Sequence, residues 1–172
     1  MRNRGTLSTL LVVVVFIACQ WPSHGETQEL ARFPVDSLEG VLTPDAVLLD
    51  MEITSDGRGA IRVEAHGPTV VHLYELSGID VENSRLSYKA RLRSEDLEGQ
   101  AYLEMWCHFG EQGEYFSRGL ADPLTGTVEW TSREIPFFLK AGENPDRVTL
   151  NLAVGGRGTV WIDDISLTKE PY

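Results

Sequence analysis

Cysteine is almost missing from this 172-residue chain, with only Cys19 and Cys107 present. Cys19 sits in the N-terminal address described below, so Cys107 stands alone and no internal disulfide framework can form. Cys107 falls in the apolar phase of its segment, which makes it a buried thiol rather than a reactive one. Positive charge is also scarce: 15 Lys+Arg face 26 Asp+Glu, for a net charge of −11. Such a surface repels phosphate backbones and argues against a nucleic-acid partner. No window sustains a helical period, no internal repeat occurs, and no low-complexity tract is present. The one long apolar run, Leu10–Ala18 (LLVVVVFIA), falls well short of the roughly 20 residues that a spanning helix needs.

That run follows Met1-Arg-Asn-Arg4, a positive stretch, and has the dimensions of a signal-peptide core. Residues 1–25 are therefore expected to be an export signal, and two exits are open. Ser23-His24-Gly25 carries small residues suited to cleavage before Glu26, which would free a secreted chain. Phe16-Ile17-Ala18-Cys19 resembles a bacterial lipobox, which would end the signal before Cys19 and lipidate it. Either route delivers the chain outside the cell or to the outer or periplasmic face of a bacterial membrane. Loss of residues 1–25 removes Arg2 and Arg4 and no acids, leaving 13 basic against 26 acidic residues, a net charge of −13. About 140 residues remain, enough for one domain with its own core.

What is present is β pattern. Residues 26–39 are polar at their start and are expected to tether a domain spanning 40–172. Short alternating segments follow, at Ala46–Ile53, Ala60–His66, Thr69–Leu76, Arg85–Arg93, Gln100–Phe109, Tyr115–Arg118, Thr127–Ile135, Arg147–Val154 and Gly158–Leu167, with turn residues between them. Eight or nine such strands predict an all-β, antiparallel two-sheet sandwich. Pro136 limits its strand to an edge or an end. In the closing segment GTVWIDDISL, Val160 and Ile162 share one parity while Ile165 and Leu167 have the other. A β-bulge at Asp163-Asp164 would return all four to one core and re-aim a carboxylate. The alternative is a strand buried on both faces.

The early loop Asp56-Gly57-Arg58-Gly59-Ala60, the later Phe137-Phe138-Leu139 and Glu143-Asn144-Pro145-Asp146, and VTLNLAVGGRGTVWIDDISL together resemble the jelly-roll carbohydrate-binding modules of bacterial glycoside hydrolases, within the galactose-binding-domain-like superfamily. The likeness covers roughly residues 40–168 and is strongest over the last 35. It implies a two-sheet jelly roll with a concave ligand face and often one structural calcium. The resemblance places Asp164 among the calcium ligands, with Asp56 as its neighbour. A hard cation needs six to eight oxygens, of which two Asp side chains supply a minority. A bulge carboxylate paired with Arg or a backbone amide is the competing reading.

Three segments carry informative faces opposite their apolar phase. Gln100–Phe109 leaves Tyr102, Glu104, Trp106 and His108 on one side at period two. Arg85–Arg93 leaves Arg91 among other basic residues, and Arg147–Val154 leaves Asn151 beside Arg147 and Thr149. If these faces line one concave sheet, aromatic plates stand among donors and acceptors, a mixture suited to sugar. The six residues Tyr102, Glu104, Trp106, His108, Arg91 and Asn151 are the candidate ligand site. The alternative is purely structural: charges on adjacent strands pair, and Trp106 packs beneath arginines. A catalytic reading would need a carboxylate pair such as Glu104 with Glu75 or Glu129. No nucleophile elbow, zinc-ligand spacing or phosphate loop accompanies it. The sequence therefore predicts an exported, non-catalytic module for carbohydrate, the alternative being a surface adaptor that meets another cell-envelope protein.

Overall fold

The computed structural model describes residues 25–171. Nine strands account for most of it: β1 (Gln28–Phe33), β2 (Leu48–Asp50), β3 (Ala60–His66), β4 (Thr69–Ser77), β5 (Ser84–His108), β6 (Glu114–Arg118), β7 (Leu124–Leu139), β8 (Arg147–Val154) and β9 (Arg157–Pro171). Helix among the described residues is limited to two 3₁₀ turns, Pro44–Ala46 and Gly110–Gln112. All pairings are antiparallel. The architecture is the all-β antiparallel sandwich that the alternation predicts, in the jelly-roll form that the resemblance implies.

β5 organises the sandwich. Its first half pairs with β9 on one side and β7 on the other, extending a sheet through β9 to β3 and β2. Its second half pairs with β8 and β6, and β8 continues to β4. One strand thus belongs to both sheets, so the Arg85–Arg93 and Gln100–Phe109 segments are a single element. The turn expected at residues 94–99 is instead the stretch where β5 crosses over, and its register with β7 and β9 slips there. Asp96 and Gly99 take positive φ (49° and 118°) at this bend. Gly156 lies so close beneath it that a Cβ would sit 1.6 Å from the Glu98 carbonyl oxygen, so no larger residue fits.

The core follows the predicted phases. Leu86, Tyr88, Ala90 and Leu92 from the first half of β5 are buried against Leu103, Met105 and Cys107 from the second and Val148, Leu150 and Leu152 from β8. Burial pushes the Cys107 thiol up to about 12, which makes it inert at neutral pH. Among the described residues β7 pairs only with β5, so Pro136 lies on an edge strand as its missing N–H requires.

Two expectations are settled in β9 and β1. Arg91 faces Asp163 and Lys89 faces Ser166, so Ala90 alone opposes Asp164 and Ile165. This is a bulge, and Asp164 adopts φ 46° within it. Ile162 and Ile165 are both fully buried in the same core cluster, as one extra residue between them demands. The segment expected as a tether differs: Gln28–Phe33 forms β1, paired with the end of β9 from Ile165 to Lys169. Its Phe33 stacks on Tyr74 at 3.8 Å between ring centroids, so apolar contact and free strand edge together outweigh its polar start. The export signal and Cys19 lie outside the described residues.

Candidate functional site

The outer face of the β4-β8-β5-β6 sheet carries a readable grid. Register aligns Ser77, Arg147, His108 and Glu114 in one row across the four strands. The next row is Glu75, Thr149, Trp106 and Phe116, and the next His72, Asn151, Glu104 and Arg118. Period-two alternation sends the β5 and β8 side chains outward while their neighbours enter the core, and on β4 a register slip between His72 and Tyr74 keeps both His72 and Glu75 on this face. A groove of about 430 Å³ lies over the first rows, lined by Leu42, Thr43, His72, Glu75, Trp106, His108, Glu114, Arg147, Thr149 and Asn151. Leu42 and Thr43 come from the loop before the first 3₁₀ turn. Their amides donate to the Leu73 and His72 carbonyls, closing the open edge of β4.

The floor is a hydrogen-bonded circuit centred on Glu104, which is only 3% exposed. Trp106 Nε1 donates to Glu104 Oε1 at 2.7 Å, Arg118 Nε donates to Oε2 at 2.5 Å, and Asn151 Nδ2 donates to Oε1 at 3.4 Å. His72 Nδ1 is 3.0 Å from Asn151 Oδ1, which extends the circuit to β4. At the other end His108 stands between Glu114 Oε1 (2.8 Å from Nδ1) and Thr149 Oγ1 (3.1 Å from Nε2). Arg147 Nε lies 3.3 Å from Glu75 Oε2. Trp106 also leans on Phe116, with centroids 4.9 Å apart at 46°. Its N–H is consumed by Glu104, so what the indole offers the groove is its π surface.

Of the six predicted ligand residues, Trp106, His108 and Asn151 line this groove. Glu104 sits beneath it with both oxygens engaged, holding Trp106 and Asn151 rather than facing a ligand. Tyr102 lies one row beyond, paired with Ala153, and lines separate depressions with Arg118 and with Val70. Arg91 is elsewhere: it belongs to the first half of β5, between Ser132 of β7 and Asp163 of β9, on the other sheet. Its Nη2 donates to the Trp130 carbonyl at 3.5 Å. His72 and Glu75 were missed as ligand residues: the buried Val71 and Leu73 mark His72 as outward, but Glu75 shares their parity and turns outward only because the register slips between His72 and Tyr74. Leu42 and Thr43 carry no sequence signal, because only chain reversal brings them to this edge.

The proposed catalytic carboxylates are not brought together as a free pair. Glu75 is bound by Arg147, and Glu129 lies on β7, held by Arg93 of the other sheet. The calcium residues fit the ion poorly. Arg32 Nη1 of β1 donates to Asp164 Oδ1 at 2.6 Å, while Asp56 is held by Arg58. Asp163, fully buried, spends its oxygens on the Ser55 and Asp164 amides. Among the described residues no three acidic, His or Cys side chains gather as a metal would require. The bulge carboxylate is thus paired with arginine, and guanidinium groups occupy the positions expected of a cation.

On the first sheet, Trp161 is buried beneath Asp50, whose carboxylate accepts its indole N–H at 2.9 Å. Arg62 and Arg93 stack over the same ring from the flanking strands, at 5.9 and 5.5 Å from its centroid. The loop after β2 folds onto this face, where its Ser55 amide donates to Asp163 Oδ2 at 2.9 Å.

No protein-family model matches the chain, and no curated protein sequence matches it. Solved structures do. A family 16 carbohydrate-binding module superposes with a TM-score of 0.56 at 13% identity, covering 76% of this chain and 91% of that one. The CBM22-1 xylan-binding domain from Paenibacillus barcinonensis gives 0.59 at 10% identity, covering 86% and 97%. A cyclase from Fischerella sp. TAU, solved with a pyrrolidinylidene-indole, gives 0.56 at 12%, covering 85% and 99%. The chain has the jelly-roll fold of these carbohydrate-binding modules, as the resemblance over residues 40–168 implies. At these identities the likeness establishes the fold, and function rests on the site.

Proposed function

We propose that the chain is an exported, non-catalytic module that binds a saccharide across the outer face of the β4-β8-β5-β6 sheet. The observation that carries this reading is the groove itself, an indole with its polar edge satisfied, ringed by Asn151, His72, Thr149, Arg147 and Glu75. A sugar presents C–H faces and hydroxyls together, and this combination of a π surface with donors and acceptors answers both. Of the two carboxylates over the groove, Glu75 is held by Arg147 and Glu114 by His108, an engagement that favours binding over glycosidic chemistry. Export rests on residues 1–25, with Cys19 as the proposed lipid attachment and acyl chains as the only membrane contact.

A glycan-array screen of the mature domain, run beside Trp106→Ala, tests the binding reading. Wild-type protein is expected to retain a defined set of glycans that the variant loses. If folded wild-type protein retains none, the saccharide reading fails, and a pull-down from the cell envelope tests the adaptor role in its place. Cys19→Ala is expected to move the protein from membrane to soluble fraction. A mature N-terminus at Glu26 would instead establish the free secreted form.

A further inference from the structure

We infer that the groove selects saccharides by charge, admitting neutral and amine-bearing glycans and rejecting those with carboxylate or sulfate groups, with Glu114 setting the discrimination. This deepens the saccharide reading above and rests on it. The charged side chains lining the groove are Glu75 of β4, Arg147 of β8 and Glu114 of β6. Arg147 is already matched by Glu75. Glu114 lies against His108 Nδ1, which Arg147 Nη2 also reaches at 3.3 Å, so two carboxylates share the one guanidinium over the groove and one negative charge is left over. Beneath the floor Arg118 and Glu104 cancel each other. The remaining ionisable group, His72, is engaged with the Asn151 carboxamide.

An anionic sugar has no free cation to meet here. To reach Arg147 it must displace Glu75, and it then stands among two uncompensated carboxylates. The groove charges lie within a Debye length of one another at physiological salt, so screening does not remove this penalty. The surrounding chain, at net −11 in full and −13 without residues 1–25, adds repulsion of the same sign during approach. A protonated amine gains where a carboxylate loses. Glu114 is the side chain through which the surplus acts, because it is on an edge strand and its side chain is 55% exposed toward the opening.

The test is a glycan array bearing neutral, amine-bearing and uronate- or sulfate-bearing oligosaccharides, probed with wild type and Glu114→Lys at low and at high salt. Circular dichroism checks that the variant is folded. Wild type is expected to prefer neutral and amine-bearing glycans over acidic counterparts by about fivefold or more, the effect of one partly screened charge. Its binding of amine-bearing glycans should weaken with salt. Glu114→Lys should raise the acidic-to-neutral ratio by a similar factor. Acidic glycans retained as well as neutral ones by wild type, or a folded Glu114→Lys with an unchanged ratio, would overturn the inference while leaving the saccharide site standing. Failure to retain any glycan would sink the saccharide reading and this inference with it.

Discussion

Replacing Glu104 by alanine removes the acceptor on which the groove floor is built. Three donors lose their partner at once: the Trp106 indole N–H at 2.7 Å, the Arg118 guanidinium, and the Asn151 carboxamide at 3.4 Å. Breaking a buried ion pair from one side costs about 3–5 kcal/mol, because the remaining charge is stranded. Arg118 keeps 36% of its side-chain exposure and can turn to water, which places the expected loss near the bottom of that range, about 3 kcal/mol. For a domain of this size the corresponding fall in Tm is about 6–12 °C. Differential scanning calorimetry of Glu104→Ala, Arg118→Ala and the double variant measures it. The double variant should be more stable than the sum of the singles predicts, since it removes the stranded charge, by a coupling of about 1–3 kcal/mol. A Tm for Glu104→Ala within about 2 °C of wild type, or strictly additive singles, would show that Glu104 does not hold the floor together.

Trp106→Ala should weaken saccharide binding by about 1–3 kcal/mol, on the scale of aromatic stacking under bases, while isothermal titration and melting show a folded domain. Asp164→Val should cost about 1–2 kcal/mol because a β-branched residue is forced into φ 46°, whereas Asp164→Asn, which tolerates that φ, should cost under about 1 kcal/mol; urea denaturation compares them. Chelator added to protein prepared with calcium should leave Tm unchanged, since arginines hold Asp164 and Asp56; a drop of several degrees would reverse that assignment. Cys107 is protonated in the fold up to about 12 but ionises near 9 when unfolded. Its contribution to stability is therefore complete below pH 9 and declines by at most about 1.4 kcal/mol per pH unit above it, a slope that Cys107→Ala should remove in alkaline melts.

The sequence by itself determined most of the strands, their buried faces and the site of one irregularity, though it read β1 as a tether and β5 as two strands. Period-two alternation depends only on the pleat, so Ala101, Leu103, Met105 and Cys107 could be assigned to the core and Trp106 and His108 to the opposite face. The parity slip between Ile162 and Ile165 pointed to the bulge for the same reason, and the structure removed the alternative of an unbulged strand buried on both faces. Tertiary structure decided which faces share a site. Arg91 and Trp106 look equivalent in sequence, but β5 crosses from one sheet to the other between them, and the bend at 94–99 separates their fates. Glu104 shares its phase with Trp106, yet Arg118 and Asn151 arrive from neighbouring strands and turn it from a ligand contact into a support. Only strand order brings His72 and Glu75 beside Asn151 and Thr149, and only the β1-β9 pairing places Arg32 on Asp164. Alternation is local and legible; lateral neighbours are set by hydrogen-bond register between segments far apart in the chain, which composition and spacing do not encode.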